Sequence, residues 1–183
     1  MFPIKCFATS ETHNTPRTAS RKGGIELSKI AYLLNKIMPL PTFIHSGFEL
    51  CEIMPINTGL GFESIDTTKL TTDVLPLFST SKLNWTGENI LDFIVKANNI
   101  LEPYIKQDYT LKIIKTKDDS AVAFETIGND KLFFIASYDY PTDITIDLQT
   151  QKYKILLGDA SIKSENNKLT INLKEFSFLL LEL

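Results

Sequence analysis

The rhythm of apolar and polar positions changes once along the chain, near residue 107. Before that point, short apolar runs alternate with segments of helical period. Residues 4–10 predict a strand. The run from Gly24 to Ile37 places Ile30, Leu33, Leu34 and Ile37 at the three-and-four spacing of one helix face, and Met38-Pro39-Leu40-Pro41 ends it. Thr42-Phe43-Ile44-His45 predicts a second short, buried strand. From Gly47 to Trp85 the chain is polar and reads as loop, with a helical turn or two within Thr67–Leu77. A second helix is expected from Gly87 to Lys106, with Ile90, Phe93, Ile94, Ala97 and Leu101 on one side. The order strand, helix, strand, loop, helix is that of consecutive β/α units. Two such units cannot close a barrel or cover both faces of a parallel sheet, so this half is expected to be structurally incomplete.

Past residue 107 the period becomes two. Tyr109–Lys115, Ala121–Ile127, Lys131–Ser137, Thr142–Leu148, Tyr153–Leu157, Lys168–Leu173 and Phe176–Leu183 are predicted strands. Lys117-Asp118-Asp119, Gly128-Asn129-Asp130, Tyr140-Pro141, Gly158-Asp159 and Glu165-Asn166-Asn167 are the turns between them. Short strands with polar turns at this spacing predict an antiparallel sandwich. The fold class expected is therefore α/β plus all-β.

With 183 residues, 43% of them hydrophobic and 22% charged, the chain is long and apolar enough to bury a core. Its net charge of -3 and pI of 5.4 give no electrostatic reason to expect nucleic acid or an anionic membrane as a partner. No segment is apolar for long enough to span a bilayer, and Met-Phe-Pro-Ile-Lys lacks the plan of a signal peptide. A cytoplasmic location is the expectation. Cys6 and Cys51 lack metal-site spacing and are expected to be reduced, buried thiols.

The polar chemistry gathers in Glu11-Thr12-His13-Asn14-Thr15-Pro16-Arg17, where a predicted strand gives way to a helix. In α/β proteins such a position is the usual rim of a site. His13 ends a strand within that polar run and reads as a site residue; His45, inside an apolar run, reads as a satisfied core histidine. Glu49 and Glu52 follow the second strand. Adjacent parallel strands would bring these acids toward Glu11, and a carboxylate pair about 5 Å apart is the apparatus of a retaining glycosidase. Acids at loop edges are more often solvated or paired with an arginine such as Arg17. No GxSxG, P-loop or GxGxxG pattern is present. Asn84-Trp85-Thr86 fits the glycosylation acceptor pattern, which chance explains more simply.

The stretch Glu11–Arg17 resembles the Glu-Asn-His-Asp-Thr-Pro-Arg run at the end of barrel strand seven in the α-amylase superfamily of glycoside hydrolases and glucanotransferases. Leu40-Pro41-Thr42-Phe43-Ile44-His45-Ser46-Gly47-Phe48-Glu49 is similar to that family's strand eight. Leu83-Asn84-Trp85, a final helix and then a sandwich follow in the family's order. The resemblance thus covers the whole chain. It implies that residues 1–106 are an incomplete (β/α)8-barrel segment, the last two β/α units, and that residues 107–183 are a C-terminal Greek-key β-sandwich.

The same resemblance implies roles. His13 would hydrogen-bond the sugar where cleavage occurs. Asn14 occupies the position of the transition-state stabiliser, where the family has aspartate; an amide keeps hydrogen bonding but supplies no negative charge. Thr12 stands in place of the family's asparagine. Glu11, Arg17 and Glu49 would bind or brace. The family's nucleophile and general acid lie on strands four and five, which nothing here matches, and a complete barrel takes about 250 residues. The expected function is that of a C-terminal fragment of an enzyme acting on α-linked glucans, inactive alone, with no cofactor or metal; a separate reading is that the piece completes a barrel in trans with a partner chain carrying the missing strands. The alternative is a non-catalytic carbohydrate-binding or scaffolding protein that uses Tyr138, Tyr140 or Tyr153.

Overall fold

The computed structural model describes residues 6–55, 82–105, 108–116, 119–128, 131–147 and 152–183. The helical turn expected within Thr67–Leu77 lies outside these residues. The chain divides into two compact units, Met1–Val95 and Lys96–Leu183.

In the first unit Ala8 and Thr42 form a parallel bridge. The Ala8 N–H donates to the Pro41 carbonyl and the Phe43 N–H to the Ala8 carbonyl, each at 2.9 Å. The two strands predicted at 4–10 and 42–45 are thus neighbours and parallel, but over the described residues they amount to one bridge rather than regular strands. A parallel pair is the weaker ladder and normally lies inside a larger sheet. One face of the pair is tied to helix α1 (Gly24–Ile37): Thr42 Oγ1 donates to the Asn35 carbonyl, and Asn35 Nδ2 to Ser10 Oγ. Phe7 and Phe43 stack at 5.5 Å with both rings exposed. Cys6, expected to be buried, is exposed beside Phe7, and Cys51 is half-buried; both are free thiols.

Helix α1 has the predicted bounds. Ile30, Leu33 and Ile37 are almost fully buried on its inner face. It stops where Met38 turns extended, as a residue before proline must. Helix α2 (Leu91–Ile105) begins four residues later than predicted. The Asn84 carboxamide captures the Thr86 N–H, and Asn89 Oδ1 accepts from the Leu91 N–H, so Asn89 caps the helix and the segment before it is turn.

Among its described residues the second unit holds eight strands: β1 (Thr110–Ile114), β2 (Ala121–Ile127), β3 (Leu132–Ser137), β4 (Thr142–Asp147), β5 (Lys154–Gly158), β6 (Ser161–Glu165), β7 (Lys168–Leu173) and β8 (Ser177–Glu182). They form two antiparallel sheets, in the orders β1-β2-β3-β8-β5 and β4-β7-β6. The sheets share one apolar cluster. Ala123, Phe133, Ile135, Leu179 and Leu181 come from the first, and Ile144, Ile146, Leu169, Ile171 and Leu173 from the second. Burying each Phe, Leu or Ile side chain contributes about 1.5–3 kcal/mol. β3 and β8 are central in their sheet, which is why they read as continuous apolar runs rather than alternating ones. β6 was not predicted: Ser-Ile-Lys-Ser-Glu carries a single apolar residue, and it is a strand because it pairs with β7 through a tight hairpin. Asn166 and Asn167 have φ of 50° and 60° there, the backbone of a type I′ turn.

Candidate functional site

Parallel pairing fixes which residues meet. Glu11 lies three residues past Ala8, and His45 three residues past Thr42. Equal steps from a parallel bridge bring them out at the same end, and Glu11 Oε1 sits 3.8 Å from His45 Nδ1. Arg17 closes the cluster. Its Nη1 shares two hydrogens among Glu11 Oε1 at 2.8 Å, the Ser46 carbonyl at 2.9 Å and His45 Nδ1 at 2.7 Å, and its Nε donates to the Met54 carbonyl at 3.3 Å. The second carboxylate oxygen of Glu11 accepts the Thr18 N–H at 2.6 Å, at the head of a 3-10 turn over Thr18–Ser20. Glu11 is 3% exposed and Arg17 is 1% exposed. This is a buried, hydrogen-bonded ion pair that fastens the end of the first extended segment to the loop after the second.

His45 is half-buried rather than a core residue, and the charged pair is its partner. Burial lowers its pKa from the ordinary value of 6.5, and the neighbouring Arg17 charge lowers it further, with Glu11 opposing. A guanidinium can only donate, so the ring nitrogen facing it must be an acceptor. The contact thus favours the neutral ring with its proton on Nε2.

His13 and Asn14 stand on a turn beside this cluster, and both are exposed. The turn is held by its own side chains. Thr12 N–H donates to Thr15 Oγ1 at 2.9 Å, Asn14 N–H to Thr12 Oγ1 at 3.2 Å, and Thr15 N–H to the Thr12 carbonyl at 3.2 Å. These bonds occupy the threonines and leave the imidazole and the carboxamide displayed. Glu49 lies apart. Its carboxylate accepts the Gly47 N–H at 3.1 Å and, among the described residues, makes no hydrogen bond or ion pair with Glu11 or Arg17. Gly47 has φ of 92°, and a Cβ there would crowd Glu52 and Leu83, so glycine is required at this turn.

A separate groove of about 530 Å³ is lined by Gly23, Glu26, Cys51, Glu52, Asn84 and Glu88, among others; it includes the candidate acid Glu52 but none of Glu11, His13, Asn14, Arg17 and Glu49. Among the described residues no group of His, Cys, Asp and Glu could hold a metal ion, and no helix is long and apolar enough to cross a membrane.

No family model matches the sequence, and no curated protein matches it. Solved structures do match. An Anoxybacillus α-amylase aligns over 94% of this chain and 37% of its own, at 14% identity and a TM-score of 0.64. A trehalose-6-phosphate hydrolase from Bacillus licheniformis aligns over 96% and 42%, at 16% identity and a TM-score of 0.63. The debranching enzyme of Nostoc punctiforme, soaked with acarbose, aligns over 94% and 32%, at 20% identity and a TM-score of 0.61. The chain has the fold of the C-terminal part of an α-amylase. It spans about two fifths or less of the length of these α-amylase-type enzymes, as the shares of 37%, 42% and 32% state. The likeness is one of fold, at identities too low to carry activity across.

Proposed function

We propose that the chain is the C-terminal part of an α-amylase-type glycoside hydrolase or glucanotransferase acting on α-linked glucans by a retaining mechanism. Residues 1–106 supply the last two β/α units of its (β/α)8 barrel, and residues 107–183 a Greek-key sandwich. The observation that carries this reading is the displayed His13–Asn14 turn, anchored at the shared end of two parallel segments by a buried Glu11–Arg17–His45 cluster. Exposed hydrogen-bonding groups on a rigid support are what recognition of a neutral sugar requires. In this reading His13 hydrogen-bonds the sugar and Asn14 fills the stabiliser position without charge. Arg17 and Glu11 brace the rim, and Glu49 braces the loop after the second segment. The nucleophile and general acid belong to barrel strands that this sequence does not match, so the chain alone does not cleave glucan. The exposed Phe7–Phe43 pair is a surface that the remaining barrel strands would cover.

The acarbose complexed with an α-amylase of Geobacillus thermoleovorans makes oligosaccharides the first ligands to try. The tyrosines of the second unit are poorer candidates. The Tyr138 hydroxyl donates to the Asp119 carbonyl, and Tyr153 packs on the apolar cluster. Titration with maltoheptaose separates the readings. Binding that His13→Ala abolishes and Tyr140→Ala leaves unchanged supports the rim. The reverse pattern supports a sandwich-borne binding module, and cleavage of glucan by the chain alone overturns the fragment reading.

A further inference from the structure

We propose that His45 is a ligand-facing hydrogen-bond donor, held by Arg17 and Glu11 in the tautomer that presents its Nε2–H to a sugar hydroxyl. The inference rests on the glucan reading above and adds a binding residue to it. Arg17 Nη1 lies 2.7 Å from His45 Nδ1 and has no lone pair to offer, so Nδ1 accepts and the ring proton is carried by Nε2. Protonating both nitrogens would set two donors and two positive charges against each other at that distance. Glu11 Oε1, 3.8 Å from Nδ1, is beyond hydrogen-bond reach of the ring and acts on it by holding Arg17 at 2.8 Å. The ring's other side keeps the group open: among the described residues Nε2 has no hydrogen-bond partner, and the side chain retains 12% exposure.

Position supports the same conclusion. His45 leaves the second parallel segment at the same end as Glu11, and His13 follows Glu11 by two residues. The two imidazoles are close enough for His13 to lower the pKa of His45. Arg17, with 1% exposure, uses its charge on internal acceptors. What the cluster presents outward is thus a neutral donor with a fixed direction. That suits a polyhydroxylated, uncharged ligand. Arg17 and Glu11 are positioning residues, since they act on the ligand only through the orientation of His45.

The test uses the full 183-residue chain, labelled with nitrogen-15 in its two histidines, titrated with maltoheptaose. In the free chain the His45 resonances are expected to report Nε2–H and an unprotonated Nδ1. Sugar should shift Nε2 of His45 together with His13. In His45→Asn the carboxamide oxygen replaces Nδ1 as acceptor for Arg17 but reaches no further, so affinity should fall about fivefold, the worth of one hydrogen bond, with the unfolding midpoint unchanged at a pH well above the ordinary histidine pKa. A shift at His13 with none at His45, or a proton on Nδ1 of His45, overturns this inference and leaves the glucan reading intact. Silence of both imidazoles sinks the glucan reading and this inference with it. Should His45→Asn fail to fold, the Nε2 response of the unsubstituted chain decides the matter.

Discussion

Replacing Arg17 with methionine tests whether the buried ion pair holds the rim in place. Methionine keeps most of the side-chain volume and removes the charge. It leaves the Glu11 carboxylate, 3% exposed, with the Thr18 N–H as its remaining donor, and it strips the Ser46 and Met54 carbonyls of theirs. Breaking one partner of a buried pair costs about 3–5 kcal/mol, since the surviving charge stays desolvated. Against a typical domain stability of about 5–15 kcal/mol, that is a large share. Glu11→Gln is milder, because the amide oxygen still accepts a hydrogen bond, and should cost about 1–3 kcal/mol. The double variant Arg17→Met/Glu11→Leu removes both charges and should be more stable than the sum of its parts. Urea unfolding followed by Trp85, the only tryptophan and a residue of the first unit, reads these differences. If Arg17→Met costs less than about 1 kcal/mol, or the two substitutions prove additive, the pair does not have the role assigned to it.

Three further outcomes are expected. The pKa of His45 lies below 6.5 in the folded chain, so the unfolded chain binds that proton more readily. Stability should therefore fall as pH drops from 6.5 through the lowered value, and His45→Asn should flatten that slope in unfolding curves taken across the range. Phe133→Ala, at a side chain with no exposure in the shared cluster, should cost about 3–5 kcal/mol by denaturant titration; a loss under about 1 kcal/mol would mean the cluster is not the core of the second unit. Gly158 has φ of 97°, and a Cβ there would run into the Phe178 carbonyl, so Gly158→Ala should cost at least about 2 kcal/mol, seen as a lowered thermal midpoint.

Much of this was legible in the chain because its signals are local. Helix α1 follows from the spacing of Ile30, Leu33 and Ile37 and from Pro39. β4 and β7 follow from alternation, since each has one buried face. What escaped depends on partners distant in sequence. β6 exists because β7 pairs with it, and its own residues are nearly all polar. The two short parallel segments are extended by contact with each other, and so shrink to one bridge. The start of α2 was misplaced because side-chain caps from Asn84 and Asn89 outweigh apolar period there. In the candidate site, Glu11 and Arg17 were readable as a pair from their closeness in sequence. His45 was not: its neighbours Phe43 and Ile44 make it look like a core residue, and only the parallel register brings it to Glu11 across an interval of 34 positions.

The central claim is that an α-linked glucan is gripped by the rim formed at residues 11–17 and 45. Amide hydrogen exchange of the chain with and without maltoheptaose tests it most directly. Slower exchange confined to residues 9–18 and 43–48 is the predicted result, with the Thr12–Thr15 turn slowed most. Protection confined to the second unit, or none anywhere at saturating sugar, would contradict it.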